Sequence, residues 1–477
     1  MAEKIVKVGL VGFGTVGTGV AKLIIEDADS IAAKTGLRLE LACVVDIDTK
    51  SARPVKLPDG ILTDDLNRLL DDDTIHIGVE MIGGIDTAKQ IQLKMLEAGK
   101  DVVTANKALL AEYGNELYRA AHENNRCIAF EASCAGGVPI ISAIRTGLTA
   151  NNITAMYSIV NGTCNYILTQ MSEDRSQSLS PVVCPLSFSE ALAQAQEKGY
   201  AEADPTLDIN GGDSAHKLAI LSSIAFGYEI TLDDIFVEGI EAVSKDDIRY
   251  GGEMGYCLKL LAIAERTEDR EQRTEEREQK TDSDFRLPTS DFRHLTSGIS
   301  LRVHPSFIAE DNPLARVKGP FNAISIFGSA VGQVMYYGRG AGMMPTASAV
   351  VADIIDVALG NSATTFRHLS LQPRSQTAPL IEKIDNLISR FYIRIMCKDQ
   401  PGVIAQWSKV LAEHQISISG ALQHEDIGPD NTVPVVIATH PTRQKNITAA
   451  LEDMEKLDVI GGKPVCIRIV DIPEDKD

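Results

Sequence analysis

A chain of 477 residues with 44% apolar side chains is long enough for two or three domains, each with its own core. A formal net charge of −20 excludes nucleic acid as a partner, because phosphate binding needs clustered Lys and Arg. No apolar run reaches the length of about eighteen residues that a membrane span needs, and the eight cysteines are scattered without a CxxC pair, so neither a bilayer, disulfides nor zinc is expected.

The opening "MAEKIVKVGLVGFGTVG" is broken by glycines and lacks a small-residue cleavage pattern, so a cytoplasmic protein is expected. Its "KIVKVGLVGFGTVG" predicts a buried strand, a glycine turn and a helix starting near Thr15. A second apolar run, "LRLELACVVDID", ends in Asp46 and Asp48, and "TIHIGVEMIGG", the helical "DTAKQIQLKMLEAGK" and "DVVTAN" follow. Short apolar runs alternating with longer helical patterns predict βαβ units, hence an α/β fold with a Rossmann-type, doubly wound parallel sheet. Strand-like and helical patterns are mixed between about 140 and 260. The charged, apolar-poor stretch from 265 to about 290 is expected to be a solvated insertion, and "SQSLSPVVCPLS" (176–187) a lengthened surface loop. After the bridge "RHLSLQPRSQTAP", a C-terminal unit follows the strand–helix–strand–strand–helix–strand order of a ferredoxin-like α+β domain. The expected domains are residues 1–140 (with the chain returning at about 335–365), a mixed α/β substrate and dimerisation domain over 141–335, and 388–472.

Gly12-Phe13-Gly14-Thr15-Val16-Gly17 matches G-x-G-x-x-G between a strand and a helix. Such glycines permit a tight turn, a close backbone approach to a pyrophosphate, and close packing of helix on strand. A dinucleotide is therefore expected here, with Asp46 at the end of the second strand accepting from a ribose hydroxyl.

The segment "KGYAEADPTLDINGGDSAHK" (198–217) concentrates carboxylates ahead of a lysine. It begins like a calcium loop at Asp208-x-Asn210 but fails on spacing, since Asp213 stands where Gly is required and Ala219 where the bidentate Glu is required. A polar turn in which Asp213 caps the following helix remains open. So does a ligand site, because Asp213 and Lys217 are i and i+4 on one helical face.

"VVTANKALLA" (102–111), "EASCAGGVPII" (131–141), "NGTCNYIL" (161–168) and the acidic segment together strongly resemble homoserine dehydrogenases. "LRVHPSFI", "GPFNAISIFG" and "YGRGAGMMPTASAVVADIIDVA" extend the likeness, in order, to about residue 360. The C-terminal "KDQPGVIAQWSKVLAEHQISI" is similar to ACT domains, which sense amino acids. The resemblance implies NAD(P)-dependent interconversion of L-homoserine and L-aspartate 4-semialdehyde, on the route to threonine, methionine and isoleucine. It implies that Glu202 and Asp208 bind substrate with Asp213 alongside, and that Lys217 exchanges the proton, with Lys107 also in the site. His216 is expected to point elsewhere. The resemblance places Thr104, Lys107, Gly199 and Gly342 near the cofactor. It also implies a sodium ion among Glu131 and the carbonyls of Cys134, Gly136 and Val138.

Many members carry Arg after the second-strand acid, favouring NADP; Ile47 stands there, so NAD is favoured although Lys50 and Arg53 lie nearby. The ACT likeness implies feedback by an amino acid such as threonine, bound near Asp399 and Gly402, and a homodimer or homotetramer. The rivals are another Rossmann semialdehyde or hydroxy-acid dehydrogenase, whose acyl-enzyme route would need a nucleophilic Cys such as Cys134, and a non-catalytic amino-acid sensor.

Overall fold

The computed structural model describes residues 3–172, 185–267, 298–368, 380–424 and 432–473. The expectations for 268–290, for 176–184 and for most of the 367–379 bridge fall outside them.

The first six strands are β1 (Lys4–Val11), β2 (Leu37–Val45), β3 (Leu62–Thr63), β4 (Ile75–Glu80), β5 (Asp101–Thr104) and β6 (Ile128–Ala129). They form one sheet in the order β3-β2-β1-β4-β5-β6, every neighbouring pair parallel. Val8, Leu10, Val44, Val79, Val102 and Val103 are fully buried, because helices cover both faces; a parallel sheet therefore reads as near-continuous apolar runs. Strand order reverses between β1 and β4, which opens a crevice beyond their C-terminal ends. The helix Met343–Leu359 returns to this domain and lies on the helix Thr15–Glu26. Gly19 permits that approach, since a Cβ there would sit 2.9 Å from that of Ala347.

The second sheet uses β7 (Ile153–Ile159), β8 (Phe236–Val237), β9 (Tyr256–Thr267), β10 (Gly298–Ala309), β11 (Phe321–Gly328) and β12 (Gly332–Arg339). It continues into β13 (Ile388–Lys398), β14 (Ile418–Gln423), β15 (Thr432–Thr439), β16 (Thr442–Arg443) and β17 (Val465–Ile469). The path is β12-β11-β7-β9-β10-β17-β13-β15-β14. Its last four strands, with the helices Val403–Glu413 and Gln444–Met454, make the expected βαββαβ unit. The join to the rest is a parallel pairing of β10 with β17, Ser306 opposite Arg468 and Phe307 opposite Ile469.

Strand periodicity explains the two-sided burial of β13. Phe391, Ile393 and Ile395 enter a C-terminal core with Trp407, Leu411 and Ile447, whereas Tyr392 faces the main core. Arg394 Nε and Nη2 donate to the fully buried Asp247 at 2.6 and 3.1 Å, and the Tyr392 hydroxyl donates to it at 3.1 Å.

The first three residues of the insertion expected from residue 265 are part of a strand. Glu265, Arg266 and Thr267 belong to β9 and pair with β10. The Glu265 carboxylate tolerates the sheet because Arg302 Nη2 lies 2.6 Å away and the Tyr157 hydroxyl donates to it. Ser187, expected in a surface loop, caps the helix Phe188–Glu197 reciprocally with Glu190. Among the described residues no single helix is long and apolar enough to cross a membrane.

Candidate active site

The glycine turn sits at the crevice. Gly12 has φ +97°, and a Cβ on it would lie 2.6 Å from the Met81 carbonyl carbon. A Cβ on Gly17 would lie 2.0 Å from Gly12 O, so only glycine lets this helix start so close to its own turn. Gly14 differs: a Cβ there meets nothing within 4 Å, which leaves open space beside the backbone. The helix that Thr15 and Val16 begin has no side-chain cap, so its first amides are left for an external anion. These features fit a dinucleotide pyrophosphate.

The Asp46 carboxylate accepts from the amides of Phe13 and Asp48 and so ties the end of β2 to the turn. Arg53 Nε donates to Phe13 O, while its Nη2 lies 3.2 Å from Asp48. Ile47 between the two acids is 98% exposed. Glu80, unforeseen from sequence, closes the other side. Fully buried, it accepts from the amides of Ile82 and Gly83, from Gln92 and from the hydroxyl of Thr104. The one signal for it was an acid ending an otherwise apolar strand.

Beyond the crevice, four segments bring charged groups together. The helix Lys107–Glu123 starts directly after β5, capped by Asn106, and places Lys107 at its first position. The helix Gly212–Phe226 carries Asp213 and Lys217 one turn apart. The short helix Thr206–Ile209 supplies Asp208, and the chain leaving β7 supplies Val160 and Asn161. Asp213 is the hub, 4% exposed. Its Oδ1 lies 2.8 Å from Lys107 Nζ and its Oδ2 2.7 Å from Lys217 Nζ. Lys217 also donates to Val160 O at 2.6 Å, a carbonyl that accepts from Asn322 Nδ2 as well. Burial alone would push the Asp213 carboxyl up, but the ammonium groups of Lys217 and Lys107 more than offset it and hold it well below the usual range. Burial would likewise lower Lys107, and the Asp213 charge raises it instead. Asp208 moves the other way: burial and the facing Asp213 raise it, while Asn161 and Lys217 oppose the rise.

Asp213 does not cap its helix. Gly211 is the cap, in the left-handed conformation, and the first helical amide, of Gly212, donates to Asn210 Oδ1; the lysines hold the Asp213 carboxylate instead. The acidic segment is therefore brought together in part. Asp208, Asp213, Lys217 and Lys107 converge. Glu202 is exposed; among the described residues its carboxylate makes no hydrogen bond or ion pair, and its backbone carbonyl accepts from Gln196. His216 makes no hydrogen bond to the cluster, and burial lowers its pKa. Gly199, φ +70°, turns the chain beside Tyr200, whose carbonyl accepts from Thr163. Gly342, φ +121°, caps the returning helix, and nearby Gly340 packs against the Asn322 amide.

In the 131–141 loop the Glu131 carboxylate accepts from the amides of Ile141 and Ser142 at 2.7 and 2.8 Å. Ala135 and Gly136 both have φ near +55° (53° and 55°), which turns successive peptides, and Cys134 and Val138 are buried. Among the described residues no group of three or more His, Cys, Asp or Glu side chains is arranged for a metal. The Cys134 thiol is fully buried and pushed up to about 12, chiefly by that burial. That does not suit the nucleophile of an acyl-enzyme. In the C-terminal unit, Asp399, Gly402 and Trp407 line a cavity of about 370 Å³ at the turn from β13 into its helix.

The chain is similar to known homoserine dehydrogenases along its length. The model of the homoserine dehydrogenase NAD-binding domain matches residues 12–131, that of homoserine dehydrogenase residues 139–355, and that of the ACT domain residues 391–459. A homoserine dehydrogenase of Neisseria gonorrhoeae is 39% identical over 97% of this chain and 98% of its own. One of Pseudomonas aeruginosa is 40% identical over 98% and 99%. The crystal structure of a homoserine dehydrogenase from Thiobacillus denitrificans superposes with a TM-score of 0.83 at 38% identity, covering 98% of this chain and 99% of that one.

Proposed function

The chain belongs to the homoserine dehydrogenase family, and from that premise we propose how its residues divide the oxidation of L-homoserine to L-aspartate 4-semialdehyde and the reverse reduction. The nicotinamide cofactor supplies the hydride acceptor or donor. Lys217 moves the proton: as the neutral amine it takes the hydroxyl proton during oxidation, becoming the ammonium that Asp213 holds, and as that ammonium it returns one to the aldehyde oxygen during reduction. The observation that carries this reading is the Asp213 carboxylate shared by both lysines, which fixes two ammonium groups on one spot beyond the glycine turn. Of the two, Lys217 is the deeper, its side chain 10% exposed against 36% for Lys107, and it is held from two sides. Lys107 steadies the substrate oxygen and the developing charge from the cofactor side. Asp208 accepts from the substrate ammonium. Glu202 stands at the exposed rim and is assigned no step.

NAD is the favoured cofactor. Asp46 faces the turn where a 2′-phosphate would meet a like charge, and Arg53, already held by Asp48 and Phe13 O, offers weak compensation. Sodium, where bound, would sit among the carbonyls at Cys134, Gly136 and Val138, because the Glu131 carboxylate is engaged by two amides.

The ACT cavity suits a small amino acid such as threonine. Its α-carboxylate would meet the helix N-terminus at Gly402, and the Trp407 indole N–H, buried without a partner among the described residues, would donate to its side chain. A homodimer or homotetramer is the assembly proposed. The cytoplasm is the compartment, in keeping with seven free cysteines among the described residues.

The decisive experiment follows nicotinamide absorbance with homoserine as substrate in Lys217→Ala. Turnover falls by about 10²–10⁴-fold, the usual worth of a positioned acid–base group, with cofactor affinity retained. Near-wild-type turnover would remove Lys217 from the mechanism.

A further inference from the structure

Asn161 touches both carboxylates of the site. Its Nδ2 donates to Asp208 Oδ1 at 2.7 Å and to Asp213 Oδ2 at 2.8 Å. Its Oδ1 accepts from the Cys164 amide at 2.7 Å. A backbone N–H can only donate and a carboxylate can only accept, so these three contacts leave one orientation for the amide. The residue is 4% exposed and sits where β7 gives way to the helix Gly162–Ser172. That helix is anchored independently by Asn165, which donates to the carbonyls of Gly319 and Phe321.

The two acids that Asn161 bridges have different surroundings. Asp213 is matched by Lys107 and Lys217, so one carboxylate faces two cations. Among the described residues Asp208 has no ion pair; it faces Asp213, with Lys217 and Lys107 further off and the Cys164 thiol donating to its carbonyl. A free Asp208 carboxylate would compete with Asp213 for the lysines, or would take a proton to escape its neighbour. A neutral amide with two donors prevents both outcomes. It holds the carboxylates apart and, with Thr163 also supporting Asp208, stabilises each as an anion, so that Asp208 faces an incoming ammonium without a resident cation of its own.

We propose that Asn161 is a positioning residue for the dehydrogenase reaction: its amide is the spacer that reserves Asp208, ionised, for the substrate ammonium and keeps both lysines on Asp213. This rests on the assignment of Asp208 to the ammonium. The sequence pattern, an Asn at the end of an apolar strand and before Gly-Thr, shows a turn but not that its amide faces two acids from other segments.

The test compares Asn161→Ala, the isosteric Asn161→Asp and Asp208→Asn, with nicotinamide binding and thermal melting as controls for folding. In Asn161→Ala the KM for homoserine rises roughly ten- to a hundredfold, the worth of a hydrogen bond to a charged group. The acid limb of log kcat/KM also moves up by about one pH unit or more, because Asp208 loses the stronger of the two side-chain donors, Asn161 and Thr163, that stabilise its anion. Asn161→Asp, which adds a third carboxylate, moves the limb at least as far without a change of shape. An unmoved acid limb in both variants, with melting and cofactor binding intact, overturns the proposal while leaving Asp208 in place. Wild-type KM in Asp208→Asn overturns the ammonium assignment itself, and the proposal with it.

Discussion

Replacing Asp213 by Asn keeps the shape and removes one charge from the centre of the site. The side chains of Asp213 and Lys217 are 5% and 10% exposed at 2.7 Å separation, so the variant leaves a buried ammonium without its counter-ion. Such a loss costs about 3–5 kcal/mol. Lys107, 36% exposed, adds little, about 0–1 kcal/mol, because solvent screens it. Against total stabilities of about 5–15 kcal/mol for a domain, the melting midpoint should fall by roughly 10 °C. Turnover should fall by about 10²-fold, the scale of a misplaced reacting group, since neither lysine then keeps the position proposed for it.

The pH dependence gives a sharper check. The folded-state pKa of Asp213 is depressed, so its stabilising contribution is complete above the unfolded value of about 4 and is lost as pH falls below it. The melting gap between wild type and Asp213→Asn is therefore widest near neutrality and narrows below about pH 4. Scanning calorimetry and the nicotinamide assay across pH measure both effects. Turnover within a few fold of wild type, or a gap that widens in acid, would refute the hub.

Two glycines of one turn should respond oppositely to alanine. Gly14→Ala, which fills open space, keeps the melting temperature and weakens nicotinamide binding, whereas Gly17→Ala, with a Cβ 2.0 Å from Gly12 O, lowers the melting temperature first; equal behaviour in melting and cofactor titration would contradict the geometry. The wild-type enzyme should show higher kcat/KM with NAD than with NADP, and Asp46→Ala should shift that ratio toward NADP by roughly tenfold or more through loss of a facing like charge. A strong NADP preference in the wild type would refute the assignment.

Much of the site was legible because its chemistry is local. The glycine turn lies between a strand and a helix of one continuous segment, and Asp213 and Lys217 share a helical face by their spacing alone. What was not legible depends on chain crossings. Asp213 looked like a helix cap because a helix start with an acid nearby has that appearance; only the arrival of Lys107, from a segment more than a hundred residues earlier, shows where the carboxylate is used. Glu202 looked equivalent to Asp208 within the same loop. The structure separates them by which one Asn161 reaches. Glu265 read as the start of a solvated insertion because its compensating Arg302 lies on the neighbouring strand.

The join between the catalytic and ACT units is the largest feature that local pattern could not reveal. The Pro/Ser/Thr-rich bridge marked off a distinct C-terminal unit, yet β17 is also a strand of the catalytic sheet. Arg468 on β17 lies 2.8 Å from Glu238, whose amide donates to Val303 O on β10. The next residue, Gly239, has no room for a Cβ, which would lie 2.2 Å from Ile209 O, and Ile240 donates to that same carbonyl. Ile209 is the neighbour of Asp208. A shift of β17 must therefore either break its pairing with Ser306 and Phe307 or carry β10 and the Glu238 segment against the loop that bears Asp208. The tight contact at Gly239 leaves that loop no slack to absorb the movement.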